Sequence, residues 1–390
     1  MASGREEVLP VKRVFFIFVY MFLGFLLLYQ FKAAFSQNQP RKNASTPSIK
    51  IIDLGTLGGE SSQAADLNGK GEVTGNSKQS SESGIRGFRW YAETMTPLSA
   101  AGDPATNAYA INESGVIAGE TISGSGAEQV IMPALWVGNT FTPLPTSDDA
   151  QGSARAINDG GIAAGHTIKK TSNHILLWEH GVLSKTIAVD KGLAQVNSMN
   201  NQNQIVGLIQ DGASNNAFLW QEGTFGELGT LGDQDSIAYD INEEGKIVGA
   251  ASIGEDLATH AFLWQEGVMT DLGGVSKATS RALGINNSGV IVGEARVGDV
   301  MHAVAWEEGK IIDLNSLLTT DSEWDLLSTA VSINDKGWIT GTGLINGREH
   351  AFLLKIWSPN FFSYLPFVAK NLATPTPTPT PKTPSNAPPW

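Results

Sequence analysis

Short apolar runs alternate with polar, glycine-containing segments through most of this chain. In residues 281–314 the runs are Arg281–Ile285, Val290–Gly293, His302–Trp306 and Lys310–Leu314, each four or five residues long. Runs this short, bounded by turn residues, predict β-strands rather than helices. The pattern therefore predicts four short antiparallel strands in each unit.

The unit recurs with an Asn-x-x-Gly-x-x-x-Gly phrase, in which the asparagine begins a type I turn and the first glycine takes a left-handed backbone. In one copy Asn203 replaces that glycine, and asparagine is the residue that best tolerates the same conformation. Intervals of 42 to 48 residues separate the seven phrases. The phrases begin at Asn68, Asn112, Asn158, Asn200, Asn242, Asn286 and Asn334.

Seven four-stranded units of this length predict an all-β, seven-bladed β-propeller. The last copy ends at His350–Leu354 without a fourth strand, and a spare strand, Ile49–Leu54, precedes the first copy. We expect this N-terminal strand to complete the last blade, which would leave no open sheet edge. A linear solenoid is the alternative, but it gives the two half-copies no role.

The two ends of the chain differ in composition from the repeats. An 18-residue apolar run at 14–31 predicts a transmembrane signal anchor, or alternatively a signal peptide. Basic residues flank it equally on both sides, so charge does not predict its orientation. The expected segments are a short N-terminal segment 1–13, the anchor 14–31, a linker 32–47, the propeller 48–356, a C-terminal segment 357–373 and a Thr-Pro-rich disordered stalk 374–390.

Charge and composition exclude several kinds of protein. The net charge of −13 argues against nucleic-acid binding, which requires basic patches. The absence of cysteine excludes disulfides, thiolate metal sites and cysteine nucleophiles. The glycine-rich phrases lack Gly-Lys-Ser/Thr and lead into strands, so they are not phosphate-binding loops.

Several motifs resemble those of the HAF-repeat family of probable extracellular repeat proteins. They are His260–Trp264, Asp271–Gly274, Gly229–Gly232, Gly55–Gly59 and Asp240–Asn242. The likeness covers about residues 49–356, although the first two copies lack the histidine. It implies a bacterial exported protein and no catalytic residue. In addition, residues 364–371 resemble a segment of surface proteins from filamentous Chloroflexota.

Loop lengths predict where a binding site would lie. The first-to-second and third-to-fourth connections are tight turns on one face, and the longer, variable connections lie on the other. Variable loops on a rigid scaffold commonly bind ligands. Their oxygens could hold Ca²⁺, but no EF-hand spacing is present, so we predict no metal ligand and no cofactor. Candidate ligand-binding residues on this long-loop face are Asp233, Asp235, Glu255, Asp256, Asp321 and Asp325.

Histidines recur at one position of four repeats, as His174, His260, His302 and His350. Equivalent positions on different blades are spread around a ring, so we predict structural or surface roles rather than one shared metal. His166 lies outside this pattern, near the inner strands, and is a weaker site candidate.

These features predict a monomeric, membrane-anchored, extracytoplasmic propeller. Its expected role is a non-catalytic scaffold that binds protein or polysaccharide. One alternative is an extracellular polysaccharide hydrolase or lyase, which would need carboxylates such as Asp235 and Asp325 to converge. Another is a structural spacer in the cell envelope.

Overall fold

The computed structural model describes one all-β unit. Its described residues are 48–357, except for 81–83, 103, 148–150, 169–172, 233, 255–257, 276–277 and 308. The predicted anchor 14–31, its linker, the C-terminal segment and the Thr-Pro stalk lie outside the described residues. Among the residues that are described, no helix is long and apolar enough to cross a membrane.

Among the described residues, strands β1 to β28 account for most of the unit, and 3₁₀ turns at Gly126–Glu128 and Leu314–Leu317 lie in the loops. The first thirteen strands are β1 (Ser48–Asp53), β2 (Ser62–Leu67), β3 (Val73–Lys78), β4 (Ile85–Tyr91), β5 (Thr94–Pro97), β6 (Ala105–Ile111), β7 (Val116–Ser123), β8 (Val130–Val137), β9 (Thr140–Pro143), β10 (Gly152–Ile157), β11 (Ile162–Thr167), β12 (His174–Glu179) and β13 (Val182–Ala188).

The strands of the second half follow the same rhythm of four per repeat. They are β14 (Leu193–Met199), β15 (Ile205–Asp211), β16 (Ser214–Gln221), β17 (Thr224–Glu227), β18 (Ser236–Ile241), β19 (Ile247–Ser252), β20 (Thr259–Gln265), β21 (Val268–Gly273), β22 (Ser280–Ile285), β23 (Ile291–Val297), β24 (Val300–Glu307), β25 (Lys310–Asp313), β26 (Leu326–Ile333), β27 (Ile339–Ile345) and β28 (Arg348–Trp357).

Consecutive strands form four-stranded antiparallel sheets, which confirms the predicted unit. Strands β10–β13, β14–β17, β18–β21 and β22–β25 each make one sheet. The groups β2–β5 and β6–β9 have the same order, and a parallel contact between Arg86 and Thr106 joins them. In the remaining sheet, β1 pairs antiparallel with β28, beside β27 and β26.

The turn between the first two strands of each sheet has the predicted chemistry. In one copy, the Asn242 side-chain oxygen accepts the backbone N–H groups of Glu244 and Lys246 at 3.1 and 3.0 Å. The following glycine, Gly245, has φ of 75°. Asn203 adopts a φ of 61° where the other copies have glycine, as expected for the residue that best tolerates this conformation.

A β-bulge interrupts the first strand of every repeat, and its extra residue lies three positions before the asparagine. In β2 the register shifts between Ala64 and Asp66, and in β18 it shifts between Ala238 and Asp240. A bulge re-aims the side chain of the extra residue. The residues at this position, here called the bulge residues, are Ala65, Tyr109, Arg155, Asn197, Tyr239, Leu283 and Val331.

The core lies between neighbouring sheets. Phe262 of one sheet packs in a cluster with Val206 and Ala217 of the preceding sheet. A tryptophan near the end of the third strand recurs in six copies. It is buried in five of them, with Trp136 and Trp178 fully inside, whereas Trp264 is only partly buried. In those five copies this large ring fills space between the sheets.

Candidate functional site

The seven recurring asparagines form a continuous series of hydrogen bonds from sheet to sheet. Six of the seven Nδ2 groups donate to the backbone oxygen of the equivalent asparagine in the next repeat. The links are Asn68 to Asn112, Asn112 to Asn158, Asn200 to Asn242, Asn242 to Asn286, Asn286 to Asn334 and Asn334 to Asn68, at 3.0 to 3.2 Å. Asn158 differs, because it donates to the side-chain oxygen of Asn203.

The sequence predicts these asparagines as turn residues, and their second role was missed. The turn uses only the side-chain oxygen, so serine or aspartate could also have filled it. The link between repeats requires the amide nitrogen as a donor. The seven-fold retention of asparagine, rather than a mixture of turn formers, was the signal that could have revealed it.

A second series joins the residues that directly follow the asparagines. The backbone N–H of each donates to the side chain of its equivalent in the next repeat: Glu113 to Asp159 at 2.9 Å, and Asp159 to Asn201 at 2.8 Å. The series continues through Glu243 and Asn287 to Asp335. In the first repeat this position is Gly69, which offers no side chain to Asp335.

A cavity of about 420 Å³ lies where these two series meet the first strands of the sheets. All seven repeats contribute to its lining, each with its bulge residue and with most of the residues between that position and the one after the asparagine. We call it the axial cavity. It opens among the turn phrases, at the opposite ends of the first strands from the long loops that the sequence analysis favoured.

Two acidic side chains in the axial cavity each bridge three repeats. Asp66 accepts the Leu67 and Ile111 N–H groups at 2.8 and 2.9 Å and the Ser332 hydroxyl at 2.8 Å. Asp240 has the same arrangement, with two backbone N–H groups and a serine hydroxyl. Burial raises the pKa of Asp66 to about 7 and that of Asp240 to about 6, although the donors act in the opposite direction.

Basic and aromatic bulge residues occupy one side of the axial cavity. The Arg155 guanidinium carbon lies 3.6 Å from the centre of the Tyr109 ring, which is cation–π geometry. The Tyr109 hydroxyl donates to Glu120 at 2.7 Å. Burial, and then the Glu120 charge, raise the pKa of Tyr109, so this phenol stays protonated.

The long-loop candidates do not form one cluster in the described residues. Asp235 accepts the Asn215 N–H at 2.7 Å, and Asp325 accepts the Gly347 N–H at 3.0 Å. Asp321 is exposed in the loop before β26. Asp233, Glu255 and Asp256 lie outside the described residues. Within the part of the chain that is described, no group of three acidic or histidine side chains could hold a metal ion. A long-loop site therefore stays a prediction.

Three of the four recurring histidines pair with aspartates in the neighbouring strand of their own sheet. The fourth, His174, has a buried Nδ1 with no hydrogen-bond partner among the described residues. The Nδ1 atoms of His260 and His302 lie 3.0 and 2.8 Å from Asp271 and Asp313. His350 makes the same contact, at 3.0 Å, with Asp53 of β1. These pairs hold the third strand to the fourth.

His166 contacts another repeat rather than a cavity. Its Nδ1 accepts the Val196 N–H at 3.2 Å, and burial lowers its pKa to about 4. A neutral, hydrogen-bonded imidazole at this position joins two sheets. The site role considered for His166 has no support in this geometry.

Comparisons with known proteins place the fold. A family described as "Protein of unknown function (DUF3466)" matches residues 230–354. No curated protein matches the chain. Virginiamycin B lyase from Staphylococcus aureus is similar in structure, with a TM-score of 0.50 at 9% identity, over 79% of this chain and 99% of that one.

The β-propeller domain of the Trilobed protease from Pyrococcus furiosus is also similar. Its TM-score is 0.51 at 8% identity, and the match covers 76% of this chain and 94% of that domain. At such low identity these likenesses show the fold alone. The chain therefore has a propeller-like, all-β fold, and its resemblance to HAF-repeat proteins remains a prediction.

Proposed function

We propose that the sheets are the blades of a closed seven-bladed propeller, with β1 as the fourth strand of the last blade. Three contacts support this proposal. β1 is paired along its length with β28, from Ser48 opposite Trp357 to Asp53 opposite Phe352. The His350–Asp53 pair matches the pairs inside other sheets. The Asn334 amide donates to Asn68 of the first repeat at 3.0 Å.

We further propose that this propeller is a non-catalytic binding scaffold for an extracellular protein or polysaccharide. The observation that carries the proposal is the bulge position. Its backbone geometry is the same in seven repeats, while its side chains range from alanine and leucine to arginine and tyrosine. A constant frame that presents variable side chains to one cavity is typical of binding proteins.

The polar groups of the axial cavity favour binding over catalysis. Asp66 and Asp240, whose pKa values are raised into the range useful for acid–base chemistry, each accept three hydrogen bonds from the scaffold. Carboxylates tied in this way hold blades together, because their lone pairs already have donors.

The remaining parts of the proposal come from the sequence. We propose that 14–31 anchors the chain in a bacterial membrane with the propeller on the extracytoplasmic side, as a member of the HAF-repeat proteins. The apolar run, the Thr-Pro tail and the repeat motifs support this location. Protease added to intact cells should then degrade the propeller, whereas protection until the membrane is broken would contradict it.

An array of neutral glycans, acidic glycans and envelope proteins, probed with the full chain in detergent, tests the binding role. We expect retention on at least one class of ligand. Substitutions Arg155→Ala and Tyr239→Ala should alter the affinity or selectivity of any ligand that enters the axial cavity. A chain that folds normally and binds nothing on the array would favour the structural spacer instead.

A further inference from the structure

A second cavity, of about 460 Å³, lies between the first and last sheets in chain order. β1 and β28 line one side of it, and the first turn phrase and the β4–β5 turn line the other. We call it the seam groove. Its lining residues are Lys50, Ile52, Lys70, Gly71, Trp90, Tyr91, Ala92, Glu93 and Lys355.

Positive charge is concentrated at the seam groove of a chain whose net charge is −13. Three lysines and one glutamate line it. Lys50 lies directly opposite Lys355 in the β1–β28 ladder. Like charges in directly opposed positions destabilise a sheet. Burial lowers the pKa of Lys355, and the charges of Lys50 and Lys336 add to this effect.

An aromatic ring beside the groove contacts one of these lysines, Lys355, and a further lysine, Lys336, that does not line the groove. The Nζ atoms of Lys355 and Lys336 lie 4.3 and 5.1 Å from the centre of the Trp338 ring. Trp338 packs on the next repeat's turn glycine, because a Cβ added at Gly71 would come within 2.6 Å of the ring. The two cations are therefore fixed beside an aromatic surface.

Three other seams between neighbouring repeats lack an aromatic ring at the position of Trp338. At three equivalent positions the side chain that packs on the next turn glycine is polar: Glu72 against Gly115, Gln204 against Gly245, and Lys246 against Gly289. A second aromatic ring also borders the groove. The side chain of Tyr91 is 48% exposed, although its neighbour Trp90 is buried.

The turn that forms one wall of the groove is strained. Ala92 and Glu93 have φ values of 49° and 63°, in the left-handed region that disfavours residues with a Cβ. Corresponding turns place glycine second, as in Gly181, Gly223 and Gly267. Strain held by the surrounding structure is concentrated at functional sites. The strained turn, the opposed lysines and the aromatic rings therefore all lie at the same seam, where the structure differs from the other repeats.

We propose that the seam groove binds an acidic polysaccharide, with lysine ammonium groups pairing with uronate carboxylates and the exposed Tyr91 face stacking on a sugar ring. Lysine is a compact donor suited to carboxylates that vary in orientation along a flexible polymer. Aromatic faces bury the apolar faces of sugar rings. The groove volume is within the range of small-ligand sites, so it holds a short stretch of the polymer.

This inference rests on the proposed binding role and names its ligand class. The test is titration of the full chain in detergent with three probes: oligogalacturonate, which has rings and carboxylates; polyglutamate, which has carboxylates alone; and dextran, which has rings alone. We expect oligogalacturonate to bind at least about tenfold more tightly than either comparison polymer. Binding should weaken as salt is added, because ion pairs contribute to it.

Variants locate the site. The double substitution Lys50→Gln/Lys355→Gln should weaken oligogalacturonate binding by about tenfold or more, and Tyr91→Ala should weaken it severalfold. The double substitution Lys78→Gln/Lys310→Gln removes the same charge from exposed strand positions elsewhere and should leave the affinity nearly unchanged.

Four outcomes would overturn the inference: no binding of oligogalacturonate, equal binding of polyglutamate, equal loss in the two double variants, or full affinity without Lys50 and Lys355. None of these removes the proposed scaffold role by itself. That role fails separately, if the full chain folds normally and binds no ligand on the array.

Discussion

The axial cavity and the seam groove are similar in volume, at about 420 and 460 Å³, but they arise in opposite ways. The axial cavity takes equivalent positions from every repeat, and carboxylates and amides dominate its polar lining. The seam groove is formed at one junction, where β1 and β28 face the first turn phrase and the β4–β5 turn, and lysines dominate its charged lining. Repetition therefore produces the axial cavity, whereas the junction between the two ends of the repeat region produces the seam groove, which differs most from the repeat.

The two regions also differ in how their polar groups are satisfied. In the axial region the asparagines, Asp66 and Asp240 all join neighbouring repeats through short hydrogen bonds. At the seam the charges repel one another, and the nearest acidic group, Glu93, lies 3.9 Å from Lys50 at the exposed surface. Changes in the axial region should therefore affect stability, whereas changes at the seam should affect binding more than folding.

The largest expected effect comes from removing β1, which lines the seam groove and packs into the cores of two sheets. Ile49 and Ile51 pack in the core of the last sheet, while Ile52 and Leu54 pack in the core of the first. At about 1.5 kcal/mol per buried aliphatic side chain, deletion of 48–54 should lower the free energy of unfolding by roughly 6 kcal/mol. It should also expose the edge of β28 and promote aggregation.

Chemical denaturation and light scattering measure both effects. A deletion of seven residues from the Thr-Pro tail is the control and should leave both unchanged. Unaltered unfolding and no aggregation without β1 would argue against the proposed closure of the ring.

The next effect concerns pH and the axial region. Asp66 and Asp240 titrate near 7 and 6 in the folded protein, compared with an ordinary value of 3.8. Between these values the folded state binds more protons than the unfolded state. Their combined contribution to the free energy of unfolding therefore falls by several kcal/mol as pH rises from about 4 to about 7, and it is constant above that.

Denaturation curves at several pH values, compared with Asp66→Asn/Asp240→Asn, isolate this contribution. The double variant should lack that part of the pH dependence. If wild type and variant change in parallel between pH 4 and pH 7, the two aspartates do not titrate as proposed.

A smaller effect is expected from breaking one link of the asparagine series. Asn242→Ala removes two accepted bonds and one donated bond in a buried position, so it should destabilise the protein by about 2 kcal/mol. Asn201→Ala is the matched control, because Asn201 belongs to the exposed second series, and it should cost less than about 1 kcal/mol. Equal losses of stability would show that the buried asparagine series contributes no more than the exposed series.

The smallest expected effect is a gain in stability from a substitution at the seam groove. Glu93→Gly relieves the left-handed strain in the β4–β5 turn and should stabilise the protein by about 1 kcal/mol. Glu93→Gln keeps the strain and removes the charge, so it should unfold like the wild type. Both should bind oligogalacturonate slightly more tightly, because an acidic group leaves the groove. A glycine variant no more stable than the glutamine variant would indicate an unstrained turn.

Local patterns predicted the strands, the turns and the substitution of Asn203 for glycine, because each depends on a few neighbouring residues. They also predicted a pairing partner for β28 in the spare strand at Ile49–Leu54. The link from Asn334 to Asn68 was not predicted, because it joins residues 266 positions apart through a side chain whose direction depends on the packed sheets. The bulge residues were missed for a similar reason.

The candidate site was less predictable than the fold. The variable loops predicted a ligand site at acidic residues such as Asp235 and Asp325. In the structure these two residues accept backbone hydrogen bonds on separate sheets. At the seam groove Lys50 lies opposite Lys355, and Trp338 packs beside the groove on Gly71. Both pairs join residues from opposite ends of the repeat region. Their proximity follows from the pairing of β1 with β28, and only the three-dimensional register shows which side chains then meet.

The register of β1 and β28 has a mechanical consequence. Because the strands are antiparallel, Ser48 and Trp357 lie opposite each other at the same end of the ladder. A force that separates these two residues would load the ladder one pair at a time, as in opening a zipper, rather than shearing all pairs together. Tension between the two ends would therefore open the sheet progressively from that pair, and the distance pulled would set how many pairs had parted.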